Sequence, residues 1–568
     1  MQRALAIGLA LGLIISFIDS YSYVISGFTT AEISVVLAPL LLLIMSSVLG
    51  LKLTREELVI ASALAIGIDI TTTLTAGMYV TYGFLAYSSR RLEEFGLSIS
   101  VPQELFSSVQ KLIDLNAMPT YISLSLASVS GAFFAYALRM HYIERERLIY
   151  PLGIVAAMII KSLRSVRKRY LIALLIGFFS QLLVLRFTSM IDLTPLVSST
   201  IPGSILAVSV SPLMIALFML LPLGSLKFIS LGSLLTYLLI LPIIIALLDL
   251  PVVPMMSYED ALFAYSNVVA SLTIGMIFVL VSYYMLMYRK VFRQSFRILM
   301  YMIPERVSFI IGLALLGLIV PVAYALMHNQ ILSLSTALMF VTVLLLHILL
   351  VLVNLRVVGE TGIGSQAVLP LVTLCMYLSK VRNVGVYAAL DPFTGIPMPQ
   401  VIGGTAMNII RFSRLNGVKV SRTLMAFILG IVIGSFATYI YGNLLVAIYG
   451  FDSPQMPLHR WIPTIVWMAI VYSGSKEALY VKALIVGIVI GLVLVILNAY
   501  RNIALFPLIV GVTLPPDVGL TAFVVSIAKS VLVRMGVDVH EKALLTSVLA
   551  LLGCGLAVFA YTMIIGVS

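Results

Sequence analysis

Apolar positions run in long uninterrupted stretches along this chain, and polar positions are confined to short breaks between them. Val35 to Leu49, Leu231 to Leu248 and Ala483 to Asn498 carry no charge, and each approaches the roughly 20 residues that cross about 30 Å of hydrocarbon as a helix. Strands of a membrane barrel would be shorter and alternating in polarity. The pattern therefore predicts an all-α, polytopic integral membrane protein. Composition agrees, since 61% of the 568 residues are hydrophobic and 10% are charged, against roughly 25% charged in soluble domains.

The formal charge of +12 matters through its placement. Basic residues cluster in short loops at Lys161, Arg164, Arg167, Lys168 and Arg169, at Arg289, Lys290, Arg293 and Arg297, and at Arg411, Arg414, Lys419 and Arg422. By the positive-inside rule these loops are cytoplasmic, and they orient the protein rather than bind nucleic acid. Between the first two clusters four apolar runs, near 170–188, 204–222, 229–248 and 264–287, are expected to cross, with Lys227 at the middle return. Further crossings are expected near 307–328, 333–353, 365–379, 396–410, 423–447, 478–499, 519–535 and 543–566. The total is about sixteen, in the cell membrane, with both termini cytoplasmic. Ala4 to Ile25 is long for a signal peptide and is expected to stay as the first crossing.

Tyr150 to Ile160 begins and ends beside positive charge and is too short to span. With Pro151 and Gly153 it reads as a re-entrant half-helix, a form tolerated only where protein or water surrounds it. The words Ile7-Gly-Leu-Ala-Leu-Gly-Leu-Ile14 and Ile311-Gly-Leu-Ala-Leu-Leu-Gly-Leu-Ile319 open two similar hairpins, and Tyr150-Pro151-Leu152 is echoed by Phe506-Pro507-Leu508. Two like-oriented repeats, 1–300 and 301–568, follow. Paired interrupted segments, here 150–160 and 504–514, are the best sequence pointer to a transport site.

At these residues the chain resembles the oligopeptide transporter family, which includes the yellow stripe-like metal-chelate carriers. Gly131, Arg139, Tyr150-Pro151-Leu152-Gly153 and Ala156-Ala157 stand where that family has a glycine-rich helix, a basic loop and an aromatic-Pro-Ser-Gly-x-Ala-x-Ala segment. Ser211-Pro212-Leu213, followed by Gly224, Gly232 and Pro242, resembles its Ser-Pro helix and glycine helix, and Gly511 to Pro515 resembles its late turn. Leu152 replaces the motif serine, and the family's Asn-Pro-Gly signature is absent. The resemblance implies secondary, proton-coupled transport of small peptides or peptide-like metal chelates. It implies a small-molecule or peptide substrate, protons as coupling ion and the lipid bilayer as partners, and leaves a homodimer open.

Charged groups inside apolar runs are costly and mark function by default. Asp69 lies mid-run beside Thr71, Thr72, Thr73 and Thr75, and a carboxylate there suits proton binding and release. Asp19, with Ser20, Tyr21 and Tyr23, sits near the outer end of the first helix, as a mouth residue or a ligand contact. Glu57 and Glu360 read as carboxylates at helix starts, where they either cap the helix or couple protons. His347 stands alone in an apolar run and could titrate near neutral pH. Substrate contacts are expected from Asp19, Tyr23, Thr72, Thr73, Tyr150, Pro151, Gly153, Ser211, Phe506 and Pro507, and proton coupling from Asp69, Glu57, Glu360 and His347. Cys375 and Cys554 form no CxxC pair, so no metal or cofactor is indicated. The alternative is a membrane-embedded enzyme acting on a lipid-linked substrate, although no HExxH, GxSxG or nucleotide-binding loop occurs.

Overall fold

The computed structural model describes residues 2–26, 34–71, 115, 118–162, 168–187, 190–250, 252, 256–300, 305–328, 334–362, 399–449, 479–501 and 505–567. The first part contains α1 Gln2–Ser26, α2 Ser34–Val48, α3 at 55–71, α4 Met118–Arg139, α5 Pro151–Ser162, α6 Lys168–Arg186, α7 Thr194–Ser198 and α8 Pro212–Leu220. Two short strands, β1 Met190–Asp192 and β2 Ala207–Ser209, flank α7 and pair antiparallel. There follow α9 Leu223–Leu247, α10 Tyr258–Ala264, α11 Ser266–Met287 and α12 Arg289–Met300. The second part holds α13 Glu305–His328, α14 Leu334–Thr361, α15 Pro399–Leu415, α16 Val420–Tyr449, α17 Val481–Arg501, α18 Leu505–Thr513, α19 Pro516–Arg534 and α20 Val537–Val567.

Among the described residues eight helices are long and apolar enough to cross a membrane, the longest of these spans being Val420–Leu445 and Leu223–Leu247. The protein is a helical, membrane-embedded protein. Exposed side chains such as Ile176, Phe179, Val489 and Ile496 are then faces presented to lipid, where an apolar surface carries no penalty.

One expected crossing is not there. The run near 204–222 is split into β2 and the nine-residue α8, because Pro202-Gly203 and Ser211-Pro212 interrupt it and its first part pairs with β1 instead. Side chains satisfy several backbone groups around the break. Thr521 of α19 donates its hydroxyl to the Ser209 carbonyl at 3.0 Å and accepts from the Ser209 N–H at 3.0 Å. Asp192 accepts from the N–H groups of Thr194 and Tyr258, both at 2.8 Å.

Local irregularities elsewhere have sequence causes. Within α9, Thr236–Ile240 widens to a π turn just before Pro242, which has no N–H to donate; the Leu241 N–H bonds the Thr236 carbonyl, and the Tyr237 carbonyl accepts from the Ile205 N–H at 3.3 Å. At the end of α4, Met140–Arg145 is also π-helical, and Glu146 donates its N–H to the His141 carbonyl at 3.0 Å. Tyr150, entering α5, adopts a left-handed φ of 53°.

Helices far apart in the chain meet through glycines. A Cβ on Gly177 of α6 would lie 2.2 Å from the Ala550 carbonyl, and one on Gly553 of α20 would lie 2.0 Å from the Leu174 carbonyl. The same reciprocity joins Gly67 to Gly430, Gly232 to Gly511 and Gly275 to Gly487. Each pair ties one helix before residue 301 to one after it. Small residues matter in lipid because close backbone approach, rather than hydrophobic exclusion, supplies the packing energy. One apolar cluster draws on helices from α1 to α20, and two further clusters lie around α9 to α11 with α17 and between α8, α9 and α19.

Candidate functional site: a buried carboxylate pair and a short-helix junction

On α1, Ser16, Asp19 and Ser20 share a face at helical spacing, and all three are buried, Asp19 to 1% exposure. Asp69 and Thr71 end the described part of α3 and are equally buried. The glycines of α1 set the register between these helices. A Cβ at Gly8 would fall 2.6 Å from the Ala61 carbonyl, and one at Gly12 would fall 3.0 Å from Ala65 Cα. The contact advances by four residues on each side, so the helices run parallel, and one more turn brings Ser16 level with Asp69. Asp19 and Ser34, at the start of α2, both lie within interaction reach of Asp69.

A third wall comes from α16. A Cβ at Gly434 would sit 2.4 Å from the Ile68 carbonyl, just before Asp69. One turn further, Thr438 Oγ1 is buried without a hydrogen-bond partner among the described residues, and the same holds for Ser16 Oγ. The result is a buried cluster of carboxylates and hydroxyls. Two carboxylates in such a place repel, and a shared proton or small cation relieves that repulsion. Asp19 is thus interior and not a residue of a solvated mouth.

The second constellation surrounds the start of α5. Tyr150 donates its N–H to the Gly359 carbonyl at 3.2 Å and its hydroxyl to the Leu355 carbonyl at 3.0 Å. Gly153 donates its N–H to Asn408 Oδ1 at 3.1 Å, and a Cβ on Gly153 would lie 2.3 Å from the Asn408 carbonyl. The short helix is therefore wedged between α14 and α15. Its buried Tyr150, Pro151 and Gly153 are occupied in holding it there. Replacing Asn408 by Ala should cost about 1–2 kcal/mol by leaving an N–H of the first helical turn unsatisfied. Asn408→Asp should retain most of that. Thermal unfolding in detergent, with amide exchange read at Gly153, measures both.

Beside it sits Arg356, buried with 6% exposure. Its Nη1 lies 2.9 Å from Glu146 Oε2, its Nε 3.0 Å from Glu360 Oε1, and its guanidinium stacks on Tyr288 at 3.8 Å from the ring centroid. Glu360, which the sequence places at a helix start, falls instead in the last turn of α14. A carboxylate is unfavourable at that end of the dipole, and the arginine one turn before it offsets this.

The remaining predicted residues are dispersed. Glu57 closes a capping box on α3, with the Thr54 N–H at 3.0 Å and hydroxyl at 2.9 Å from Oε2 and the Glu57 N–H returned to Thr54 Oγ1 at 3.3 Å. It is a cap. His347 is buried on α14. Ser211 precedes α8 and donates to Gln181 Oε1 at 3.3 Å, and Pro507 is buried in α18. Tyr23 and Phe506 belong to described helices, but their side chains, like Thr72 and Thr73 altogether, lie outside the described residues.

Three interior residues are not singled out by the sequence pattern: Arg356, Asn408 and Lys529. Lys529 of α19 is only 3% exposed and donates to the carbonyls of Met219 at 2.7 Å and Leu221, closing the C-terminal end of α8. Among the described residues no three His, Cys, Asp or Glu side chains converge on a metal position.

The sequence matches no protein-family model and no curated protein. The functional reading rests on the geometry above.

Proposed function

We propose that this protein is a secondary active transporter of the oligopeptide transporter type, moving small peptides or peptide-like metal chelates with protons across the cell membrane. The observation that carries the reading is the pair Asp19 and Asp69, buried together against Ser34 inside a membrane-embedded bundle. Buried carboxylates in such bundles are expensive, and they recur where protons or ions are bound and released. The short helices α5 and α18 add support, since each opens with an aromatic-Pro pair and each is enclosed by longer helices, as discontinuous segments are at transport sites. On this reading the membrane helices form two like-oriented repeats, with both termini cytoplasmic.

The test is uptake by proteoliposomes holding the full chain, given a pool of di- to tetrapeptides and metal chelates with and without an inward proton gradient. Accumulation above that of protein-free vesicles, dependent on the gradient, is expected. Equal uptake in both vesicle types would remove the reading.

A further inference from the structure

A groove of about 630 Å3 runs between α9 and α19, away from the carboxylate pair. Its volume lies in the roughly 300–1,000 Å3 range of small-ligand sites. Phe228 and Leu231 form one wall and Phe523 and Ile527 the other. Leu231, Phe523 and Ile527 are 43%, 43% and 52% exposed, so the groove opens sideways to where acyl chains lie.

Its polar character is confined to one end. The two helices are antiparallel, because Ser233 donates to the Leu514 and Pro515 carbonyls at 3.0 and 3.1 Å while Lys529 reaches the Leu221 carbonyl just before α9. Lys227, in the first turns of α9, and Arg534, at the last residue of α19, therefore line the same end. Both are exposed, and among the described residues neither forms an ion pair. The serines of the groove offer no free proton, since Ser526 donates to the Phe523 carbonyl at 2.8 Å and Ser530 to the Ser526 carbonyl at 2.7 Å. Recognition at that end falls to two cations above an apolar trough.

We infer that this groove is a binding site for one anionic phospholipid, its phosphate held between Lys227 and Arg534 and an acyl chain lying along Phe228, Leu231, Phe523 and Ile527. Long basic side chains at helix ends reach the headgroup level while their stems stay in the hydrocarbon. A zwitterionic lipid fits the trough equally well but presents its own cation to the two basic groups.

Native mass spectrometry of the full chain, titrated with phosphatidylglycerol or phosphatidylcholine of identical acyl chains, tests the site. One phosphatidylglycerol should bind more tightly than phosphatidylcholine. Lys227→Gln with Arg534→Gln should weaken it about 30-fold, as two near-surface charges predict. Arg293→Gln with Arg297→Gln on α12 should leave it unchanged. Ile527→Trp, which fills the trough and keeps both charges, should lower the affinity for both lipids, and millimolar glycerol 3-phosphate should fail to displace the bound lipid. Equal affinity for the two lipids, or indifference to either groove variant, overturns the inference. Displacement by glycerol 3-phosphate overturns it in favour of a free-anion site. None of these readouts depends on transport.

Discussion

Asp69→Asn is expected to leave substrate uptake indifferent to a proton gradient, with the protein still folded. Asparagine has nearly the same shape and keeps an oxygen that can accept from Ser34, so the packing among α1, α2, α3 and α16 survives. What disappears is the group that changes charge. Coupling free energies between two bound ligands typically run about 1–3 kcal/mol, a 5–150-fold change in affinity, and accumulation driven by the gradient should fall by a factor in that range. Asp19→Asn should act in the same direction, and the double variant should add little, because two groups sharing one proton act as a unit. Paired proteoliposomes, with and without the gradient, give the ratio directly. Undiminished gradient-dependent accumulation in Asp69→Asn would assign coupling elsewhere.

Arg356→Ala is expected to be the most destabilising single change outside that pocket. Removal of one partner of a buried ion pair costs about 3–5 kcal/mol, because a charge is left without compensation. Here two carboxylates are left, but Glu146 and Glu360 keep side-chain exposures of 24% and 26%, so water softens the loss towards the lower figure. Arg356→Lys should recover only part of it, since an ammonium neither bridges both carboxylates in a planar fork nor stacks on Tyr288 in the same way. Arg356→Met combined with Glu146→Gln and Glu360→Gln should recover more than the lysine does. Thermal unfolding in one detergent ranks the three variants, and a lysine variant as stable as the wild type would show that charge alone suffices.

The membrane class and most helix positions are legible in the sequence because long charge-free runs leave few other structures open. Charges inside runs are read less well. A crossing ending near 353 treats Arg356 as a boundary, whereas α14 continues to Thr361 because Glu360, one turn on, and Glu146, from the end of α4, neutralise that arginine. The break at 204–222 is hidden for a related reason. Its residues are apolar whether they form a strand or a helix, and only Pro202-Gly203 and Ser211-Pro212 mark the interruption. Asp69 is visible from its setting, but its proximity to Asp19 depends on the parallel register that Gly8 and Gly12 impose, and periodicity carries no information about which helices touch. Asn408 is a single polar residue whose role exists only once α5 lies against it.

The reciprocal glycines also bear on how the protein is made. Cys554, beside Gly553, donates its thiol to the Gly177 carbonyl across a separation of 377 residues, so the shallow seam on α6 has no occupant until α20 leaves the ribosome. At roughly 5–20 residues per second that interval is on the order of tens of seconds. Throughout it, α6 stands in the bilayer with this contact unmade, as α3, α9 and α11 do until their own glycine partners are synthesised, available to insertion chaperones and to membrane proteases alike. A nascent chain stalled before α20 should therefore be degraded far faster than one released after it.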